Sequence, residues 1–426
     1  MSDVKKRSYP HGEVVEPLYT SSPNNNVGFR NHPWWTMVQE HVVEKEFIAN
    51  DWAHNRLQQG ASGLLFYLTD EHYLPRILKG IKLEYISLGL VVEGSGPAVM
   101  EALLHHAHNE IIPVQKLSGF INIDPVEIAA RTGIWHENKM YELGELSRLT
   151  PTRVKYMCCN ANFYGSCGAS PTTQLGLALA HIDFYLSNFG DVGLSQYWVA
   201  MTSGTYMFEE IAKHRALRVL WRELLEEYDY PFVHLEIYSE TSTTHQSSFD
   251  AHSNLLRATS AAFGAVTGGA DAVQIRPYNS VVRGFDAEGE RLALNQHFIM
   301  AYESGMDRVM DPAKGSYFIE DKTSALVKEA KLIYQEIRQI GGIMEALKSG
   351  WIQDRIDSEV KAAMPEKVLG VNFYPNDAEK LPEGMTIAPT LSRIEHKERF
   401  ADRDIEPLRV VRWSESLEFQ RHSGTL

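Results

Sequence analysis

A single unit recurs along the chain: an amphipathic helix, a Gly or Pro that ends it, and a short run rich in apolar β-forming residues. Four copies can be read directly: NDWAHNRLQQG leads into ASGLLFYL, HYLPRILKG into KLEYISLGLVV, HRALRVLWRELLEEYDYP into FVHLEIY, and NLLRATSAAFGAVTGG into ADAVQIRPY. Nearly continuous apolar runs are typical of parallel strands buried on both faces. Such strands alternating with helices predict an α/β fold.

Further apolar runs raise the number of predicted strands to eight. They are GFINI (119–123), VKYMCCN (154–160), QYWVAM (196–201) and a weaker one, HFIMAYE (297–303). Eight βα units over roughly 250 to 300 residues fit a (β/α)8 TIM barrel better than an open doubly wound sheet. The absence of a GxGxxG segment after the first of these strands also disfavours a dinucleotide-binding fold.

The two ends of the chain lack this repeat. Residues 1–60 are predicted to form an extended N-terminal arm, rich in Pro, Asn and aromatic residues, and a first helix that contacts a partner. Residues 61–345 are assigned to the barrel domain, which includes a long helix over 323–342. Residues 346–426 are expected to form a helical and extended C-terminal tail.

Composition excludes several classes of protein. The 426 residues are 44% hydrophobic and 23% charged, which is ordinary for a globular chain. The formal net charge of −14 would repel nucleic acid and anionic membranes, so neither is expected as a partner. Three clustered cysteines predict a reducing compartment. With no apolar N-terminal segment and no 18-residue apolar run, a cytoplasmic protein is expected.

The loop NANFYGSCGASPTTQLG (160–176) follows a predicted strand and leads into a helix. In an α/β protein this position usually carries catalytic groups. This loop contains no His, Asp, Glu, Lys or Arg, and its ring-bearing side chains are Phe163 and Tyr164. It therefore has the form of an active-site loop without acid–base groups.

Other polar clusters are weaker candidates. His105, His106 and His108 are interpreted as solvent-facing side chains, and no metal site is predicted. The turn Gly94–Gly96 precedes a Pro at a helix start, so it serves either as an anion site or as a tight turn. No fixed spacing joins the acid–base candidates near strand ends into a catalytic set; they are Asp191, Ser195, Glu209, Glu210, His234, Glu236 and Glu240.

Five segments in the right order resemble the methylmalonyl-CoA mutase family. HSNLLRATSAAFGAVTGGADAVQIRPYN is similar to its helix–GG–strand segment. RVMDPAKGSYFIE resembles its V-D-P-x-A-G-S-Y-Y-I-E signature, with Asp311, Gly315 and Glu320 among the matching positions. LNQHFIMAYES is similar to its R-N-x-Q…E-S run, LGVNFYP to its G-V-N-x-Y, and NFYGSCGAS to its Y-H-M-G-E-A-G-A-N loop.

The resemblance implies a TIM barrel and adenosylcobalamin chemistry. In that chemistry an adenosyl radical exchanges hydrogen with an acyl-CoA threaded through the barrel, and the carbon skeleton rearranges. In active members a loop His donates to the thioester carbonyl, a Tyr lies near the corrin face, and Arg residues bind the substrate carboxylate.

This chain departs from the family pattern at those positions. When the loop is aligned, Phe163 takes the position of the family's catalytic His. When WTMVQEHVV is aligned, Val38 takes the position of an Arg and Glu40 the position of the Tyr. Aligning GFINID puts Asn122 at a Gln. Phe163 cannot donate a hydrogen bond, and Glu40 would repel a substrate carboxylate by roughly 1 to 4 kcal/mol at about 4 Å. No catalytic residue is therefore expected in this chain.

The D-x-H-x-x-G signature of corrinoid-binding domains is also incomplete. Asp250 and His252 stand in a D-x-H arrangement, but Leu255 occupies the Gly position, so a helix N-terminus is the preferred interpretation. No cobalamin-binding domain is expected in residues 1–426. We expect this chain alone to bind no cofactor and a partner subunit to hold adenosylcobalamin.

These features resemble the small, β subunit of the heterodimeric mutases. The first hypothesis is a non-catalytic subunit that stabilises a catalytic large subunit of a methylmalonyl-CoA/succinyl-CoA isomerase. The alternative is an active barrel for another acyl-CoA that uses cobalamin from a separate subunit; an unrelated stand-alone barrel is disfavoured by the order of the motifs. Candidate pore or ligand contacts are Gly94, Ser95, Gly96, Tyr164, Gly165 and Ser166.

Overall fold

Eight parallel strands close into a barrel in this computed structural model of the chain, which confirms the predicted (β/α)8 fold. The structure describes residues 7–8, 14–15, 30, 32–148, 153–283, 286–363, 367–376, 378–379 and 403–423. The barrel strands are β1 (Thr36–Val42), β2 (Gly63–Leu68), β3 (Ser87–Val92), β4 (Ser118–Ile123), β5 (Arg153–Asn160), β6 (Tyr197–Ser203), β7 (Glu236–Thr241) and β8 (Ala272–Gln274).

One of the eight predicted strands was wrong. HFIMAYE (297–303) is the end of a helix followed by a π-helical turn, Ile299–Glu303, because a short apolar run does not by itself distinguish a strand from a buried helix. The missing strand is β1, which lies within the range assigned to the arm and pairs with β8 and β2 to close the barrel. The barrel therefore begins before residue 61.

Helices connect the strands and cover the barrel. In chain order they are α1 (Glu46–Gln58), α2 (Leu74–Ile77), α3 (Gly96–Asn109), α4 (Pro125–Thr132), α5 (Glu137–Leu146), α6 (Ala161–Ser166), α7 (Pro171–Phe189), α8 (Met207–Glu227), α9 (Ser253–Gly268), α10 (Ser280–Arg283), α11 (Ala287–Phe298), α12 (Tyr317–Ile340), α13 (Ile343–Lys348), α14 (Trp351–Ala363) and α15 (Glu415–Ser423). The predicted long helix is α12, which packs across α7 and α8 as a further layer. No helix in the described part of the chain combines the length and apolar character needed to cross a membrane.

Strand alternation separates two cores. Met37 on β1 joins the large apolar cluster between strands and helices, whereas its neighbour Val38 joins a smaller cluster inside the barrel. Successive strand residues point to opposite faces, so one strand supplies both cores. The barrel interior is therefore a side-chain-filled space of its own.

The chain ends lie partly outside the described residues. Of the predicted arm, the antiparallel pair Arg7–Ser8 and Val14–Val15 is described, as is most of the chain from Arg30 onward. In the predicted tail, backbone hydrogen bonds tie the segment before α15 to the barrel domain: Leu408 N–H donates to Ala130 O over 2.8 Å and Val411 N–H to Ser166 O over 3.0 Å. The part of the tail described after residue 402 thus packs on the barrel.

Replacing Gly119 with alanine should destabilise the barrel more than the same change at Gly315. Both glycines have positive φ, of 124° and 80°, but a Cβ on Gly119 would lie 2.0 Å from Leu88 O, whereas one on Gly315 would meet no atom within 4 Å. We expect Gly119→Ala to lower the free energy of unfolding by more than ~3 kcal/mol and Gly315→Ala by about 1 kcal/mol, measured in urea. Equal losses would show that backbone conformation, and not close strand approach, dominates.

Candidate functional site

The barrel interior is filled by aromatic and aliphatic side chains. Phe120 of β4 stacks on Trp198 of β6 with ring centroids 4.0 Å apart, and Tyr238 of β7 meets both rings at 5.5 and 6.3 Å. Val38 and Leu65 join this layer from β1 and β2. All five side chains are buried. The centre of the barrel is thus packed as a core.

An ion-pair cluster closes the carboxyl-terminal mouth of the barrel above this layer. Arg276, two residues after β8, lies with Nη1 2.6 Å from Glu40 Oε1, and its Nε donates to Glu240 Oε1. Tyr67 Oη donates to Glu40 Oε2 over 3.2 Å, and Asn162 Nδ2 donates to Glu240 Oε2 over 3.0 Å. We call these five residues the mouth cluster.

Burial and charge pairing shift the pKa values of three residues of the mouth cluster. Burial raises the pKa of Glu40, while Arg276 opposes that rise. Burial alone would lower the pKa of Arg276, but Glu240 and Glu40 outweigh it and hold that pKa above its ordinary value. Burial, then Glu40 and Glu240, raise the pKa of Tyr67, so its phenol stays a donor. Because two carboxylates already share the Arg276 guanidinium, it is poorly suited to bind a substrate carboxylate.

Three of the degenerate family positions lie on barrel strands, and the fourth follows one. Glu40 belongs to the mouth cluster, Val38 to the aromatic layer beneath it, and half-buried Asn122 lies on β4 beside Val91 of β3. Phe163 is buried on α6, directly after β5. The predicted loop is thus largely a short helix that presents Asn162 to the mouth cluster.

Tyr164 is not a pore contact. It is fully buried in the outer apolar cluster, and its hydroxyl lies 3.2 Å from Nδ1 of His181 on α7. His181 Nε2 lies 2.9 Å from Asp124 Oδ1, which also accepts the Tyr185 hydroxyl over 2.7 Å. The candidate assignment of Tyr164 is therefore corrected, since the side chain faces the helical layer.

Gly165 and Ser166 also have structural surroundings. A Cβ on Gly165 would lie 2.0 Å from Thr202 Oγ1 and 2.4 Å from Gln174 Nε2, so only glycine lets α6 approach β6 this closely. The backbone carbonyl of Ser166 accepts the hydrogen bond from Val411. Packing accounts for both positions, and their role as ligand contacts stays a prediction.

The Gly94–Gly96 turn is filled from within the protein. Gly96 N–H donates to Glu142 Oε2 over 3.0 Å, and Lys139 Nζ donates to Gly94 O over 2.5 Å. Ser95 Oγ accepts from Ala98 N–H over 3.3 Å as the helix cap. The carboxylate of Glu142 thus takes the Gly96 N–H that an external anion would use, and the role of this turn as a ligand contact stays a prediction.

The structure agrees with the sequence interpretation of His252 but only in part with that of the histidines at 105–108. His105 and His108 are exposed as expected, but His106 is buried, which lowers its pKa, so the solvent-facing interpretation was wrong for that residue. His252 stacks on Tyr278 with ring centroids 5.0 Å apart, and Asp250 Oδ2 accepts the Ser253 hydroxyl over 2.5 Å at the start of α9. Asp250 and His252 therefore form a helix entry, as the sequence indicated.

Sequence reasoning had no means of identifying most of the mouth cluster. Glu240 was one of seven scattered acid–base candidates, and Arg276, Tyr67 and Asn162 were not singled out. The sequence feature that these residues share is their position, because each lies at or just after the carboxyl end of a barrel strand. The sequence identifies such positions but does not show which of them meet across the barrel.

Acidification should weaken the fold through buried histidines next to the strand ends. His214 of α8 has both ring nitrogens engaged in its neutral form, since Nδ1 donates to Glu210 O over 2.8 Å and Nε2 accepts from Ser239 Oγ over 3.0 Å. Burial lowers its pKa to about 4 and that of His245 to about 4.

Since these folded-state values lie below the ordinary value, stability is full above about pH 6.5 and falls as the pH drops toward 4. His214→Gln should reduce the slope of unfolding free energy against pH by up to ~1.4 kcal/mol per unit in that window. Exposed His108→Gln is the control. Identical slopes in wild type and His214→Gln would contradict the prediction.

Comparisons with known proteins identify a family and several relatives. The family model described as methylmalonyl-CoA mutase matches residues 60–406. The chain is 28% identical over 385 residues to the methylmalonyl-CoA mutase small subunit of Porphyromonas gingivalis, covering 84% of this chain and 62% of that protein. It is 29% identical over 361 residues to the small subunit of Streptomyces virginiae, covering 80% and 58%.

A probable methylmalonyl-CoA mutase small subunit of Mycobacterium bovis is 34% identical over 241 residues, covering 52% of this chain and 39% of that protein. The chain thus spans about three fifths of the length of the first two relatives. Because the family match extends over most of the barrel and beyond it, the chain belongs to the methylmalonyl-CoA mutase family.

Proposed function

We propose that this chain is a non-catalytic subunit of an adenosylcobalamin-dependent acyl-CoA mutase and stabilises a catalytic large subunit. The observation that carries the proposal is the filled barrel. The family chemistry implied by the sequence passes an acyl-CoA along the barrel axis, and here Phe120, Trp198 and Tyr238 occupy that axis. Among the described residues, these buried rings lie where a pantetheine chain would have to pass.

The mouth of the barrel supports the same conclusion. A substrate carboxylate at this position would meet Glu40 and Glu240, and the nearby guanidinium of Arg276 is already shared between them. Phe163, at the position of the catalytic His, has no proton to donate to a thioester carbonyl. These residues do not fit the substrate carboxylate or its thioester carbonyl, so we assign no catalytic step to this chain.

The partner is proposed from the relatives. Proteins named small subunit imply a large subunit, and a folded chain that binds only the native form of its partner stabilises it by mass action. In this proposal the cofactor and the reaction belong to the large subunit. The described barrel of the present chain supplies a rigid, closed surface on which that subunit assembles.

The proposal is tested by purifying the chain from its native host at moderate salt and identifying the proteins that accompany it. We expect a stoichiometric larger chain that carries a D-x-H-x-x-G segment and has mutase activity. Equilibrium dialysis of the isolated chain against methylmalonyl-CoA should give a dissociation constant above ~1 mM. Deleting the chain should lower the thermal midpoint of the partner.

Two outcomes would contradict the proposal. Micromolar binding of methylmalonyl-CoA to the isolated chain would mean that the barrel opens to substrate. Co-purification with a small free-standing cobalamin protein, together with turnover by that pair, would establish the alternative of an active barrel with an altered substrate. Each result points away from a purely structural subunit.

A further inference from the structure

A cavity lies outside the barrel, between α8 and α9 and beneath the segment that joins the π-helical turn to α12. Its volume is about 420 Å³. The apolar part of the lining includes Phe208, Phe263, Val266, Met306, Val309 and Ile319, and no residue of the barrel strands lines it. We call it the outer cavity; it shares no residue with the mouth cluster.

The roof of the outer cavity is fixed at both ends. Arg215 of α8 contacts Asp311 at 2.5 Å and Glu320 at 2.6 Å, and Gly315 N–H donates to Glu320 over 3.1 Å. At the other end, Met306 N–H donates to Met300 O over 3.0 Å. Because both ends are held, the segment bridges the groove between the helices instead of collapsing into it.

The size of the outer cavity suits a small organic molecule. An engineered apolar cavity of ~150 Å³ holds benzene, and ligand pockets are commonly about 300 to 1,000 Å³. At about 420 Å³ the outer cavity has room for an alkyl chain of medium length. Its predominantly apolar lining would gain stability by covering such a chain.

The lining also contains the polar residues Arg30 and Thr267. The Arg30 guanidinium donates to Ala270 O over 2.7 Å and to Pro33 O over 2.8 Å, which fixes its position. Burial lowers the pKa of Arg30 to about 10, so it remains a cation at neutral pH. Thr267, three residues before Ala270, lines the same cavity.

The Thr267 hydroxyl points independently to a ligand. The residue is buried, and within the described part of the chain its Oγ1 has no hydrogen-bond partner. A buried hydroxyl without a partner is unfavourable by about 1 to 3 kcal/mol, so such a group in a native structure needs an explanation. A polar group of a ligand bound in the outer cavity would satisfy it.

We propose that the outer cavity binds a medium-chain carboxylate, with its alkyl chain on the apolar lining and its carboxylate against Arg30 and the Thr267 hydroxyl. This inference goes beyond the proposed subunit function. It concerns the isolated chain and stands or falls without any mutase partner.

The test uses the full chain and displacement of the fluorescent probe 1-anilinonaphthalene-8-sulfonate, with decanoate and 1-decanol as competitors. Both carry ten carbons, and only decanoate is charged. We expect decanoate to displace the probe at concentrations at least ~10-fold lower than decanol, as a charge-assisted hydrogen bond to Arg30 would give. Arg30→Met should bring the two competitors to within about twofold of each other.

Two further variants locate the site. Val309→Trp fills the cavity from its exposed rim and should weaken both competitors, whereas Thr267→Val should weaken decanoate about fivefold and leave decanol unchanged. Because Thr267→Val removes a hydroxyl that has no partner, it should not destabilise the fold.

Equal displacement by decanoate and decanol in the wild type, or unchanged decanoate binding in Val309→Trp, would overturn the proposal. Displacement of the probe by a stoichiometric partner chain, with none by decanoate, would identify the cavity as a docking site for a protein segment and would also overturn it.

Discussion

Replacing Arg276 with methionine should lower the free energy of unfolding by ~3 to 5 kcal/mol, the usual result of leaving buried charges without their partner. Arg276 is the cation that Glu40 and Glu240 share at the mouth of the barrel, and both carboxylates are buried. Removing it leaves two like charges close together where little water reaches them. Urea unfolding at pH 7 measures the loss.

The charge state of Glu40 supplies a second readout for this variant. Burial already raises its pKa, and without the guanidinium the carboxyl should take up a proton more readily. The raised folded-state pKa makes the variant relatively more stable below that pKa and less stable above it. The loss caused by Arg276→Met should therefore shrink as the pH falls from 7 to 5.

Matched variants separate charge from packing. The triple variant Arg276→Met, Glu40→Gln, Glu240→Gln should recover most of the stability, because no uncompensated charge remains. Arg338→Met breaks an exposed ion pair with Glu227 and should lose less than ~1 kcal/mol. A triple variant no more stable than Arg276→Met would mean that the loss comes from side-chain packing.

Replacing Arg215 with methionine should also lower the free energy of unfolding by ~3 to 5 kcal/mol. Arg215 is buried on α8, and its guanidinium holds Asp311 and Glu320, which flank the start of α12. Without it, two carboxylates lose their cation, and the contact between α8 and the start of α12 is removed. The same urea experiment applies, with an additional loss of probe binding in the outer cavity as its roof is released.

The control for Arg215 is an exposed pair that joins the same two helices. Lys331 of α12 lies 2.9 Å from Glu223 of α8, and Lys331→Met should lose less than ~1 kcal/mol. If Arg215→Met and Lys331→Met lost similar amounts, the buried contact would contribute no more than a surface ion pair.

The Arg215 contacts also explain a family signature in physical terms. In RVMDPAKGSYFIE, Asp311 and Glu320 are nine residues apart, and both reach one guanidinium from a helix almost a hundred residues earlier. Gly315, at positive φ, turns the chain so that its own N–H joins Glu320. In this chain the signature joins α12 to the barrel layer, and none of these residues belongs to the mouth cluster.

The fold was predictable because the unit of a helix followed by an apolar strand repeats along the sequence. Seven of the eight predicted strand runs overlap a barrel strand, and the long helix before residue 342 is α12. The prediction for 297–303 failed because a run of five apolar residues fits a helix end as well as a strand. Strand β1 was missed because it contains Gln39, Glu40 and His41, and its polar residues match neither a buried parallel strand nor a clean alternation.

The sequence by itself determined the barrel and the family resemblance, because periodicity and residue identity are local properties. It also predicted the replacement of donors at Phe163 and Glu40. Only the tertiary structure decided that Arg276 neutralises Glu40 from 236 residues away, that Tyr164 faces His181, and that Phe120 and Trp198 stack across the axis. Barrel closure brings side chains from distant strands to one point, and their meeting depends on register and strand tilt. The spacing of residues along the chain does not give the distances between their side chains. The contacts of the mouth cluster could therefore be identified only from the tertiary structure.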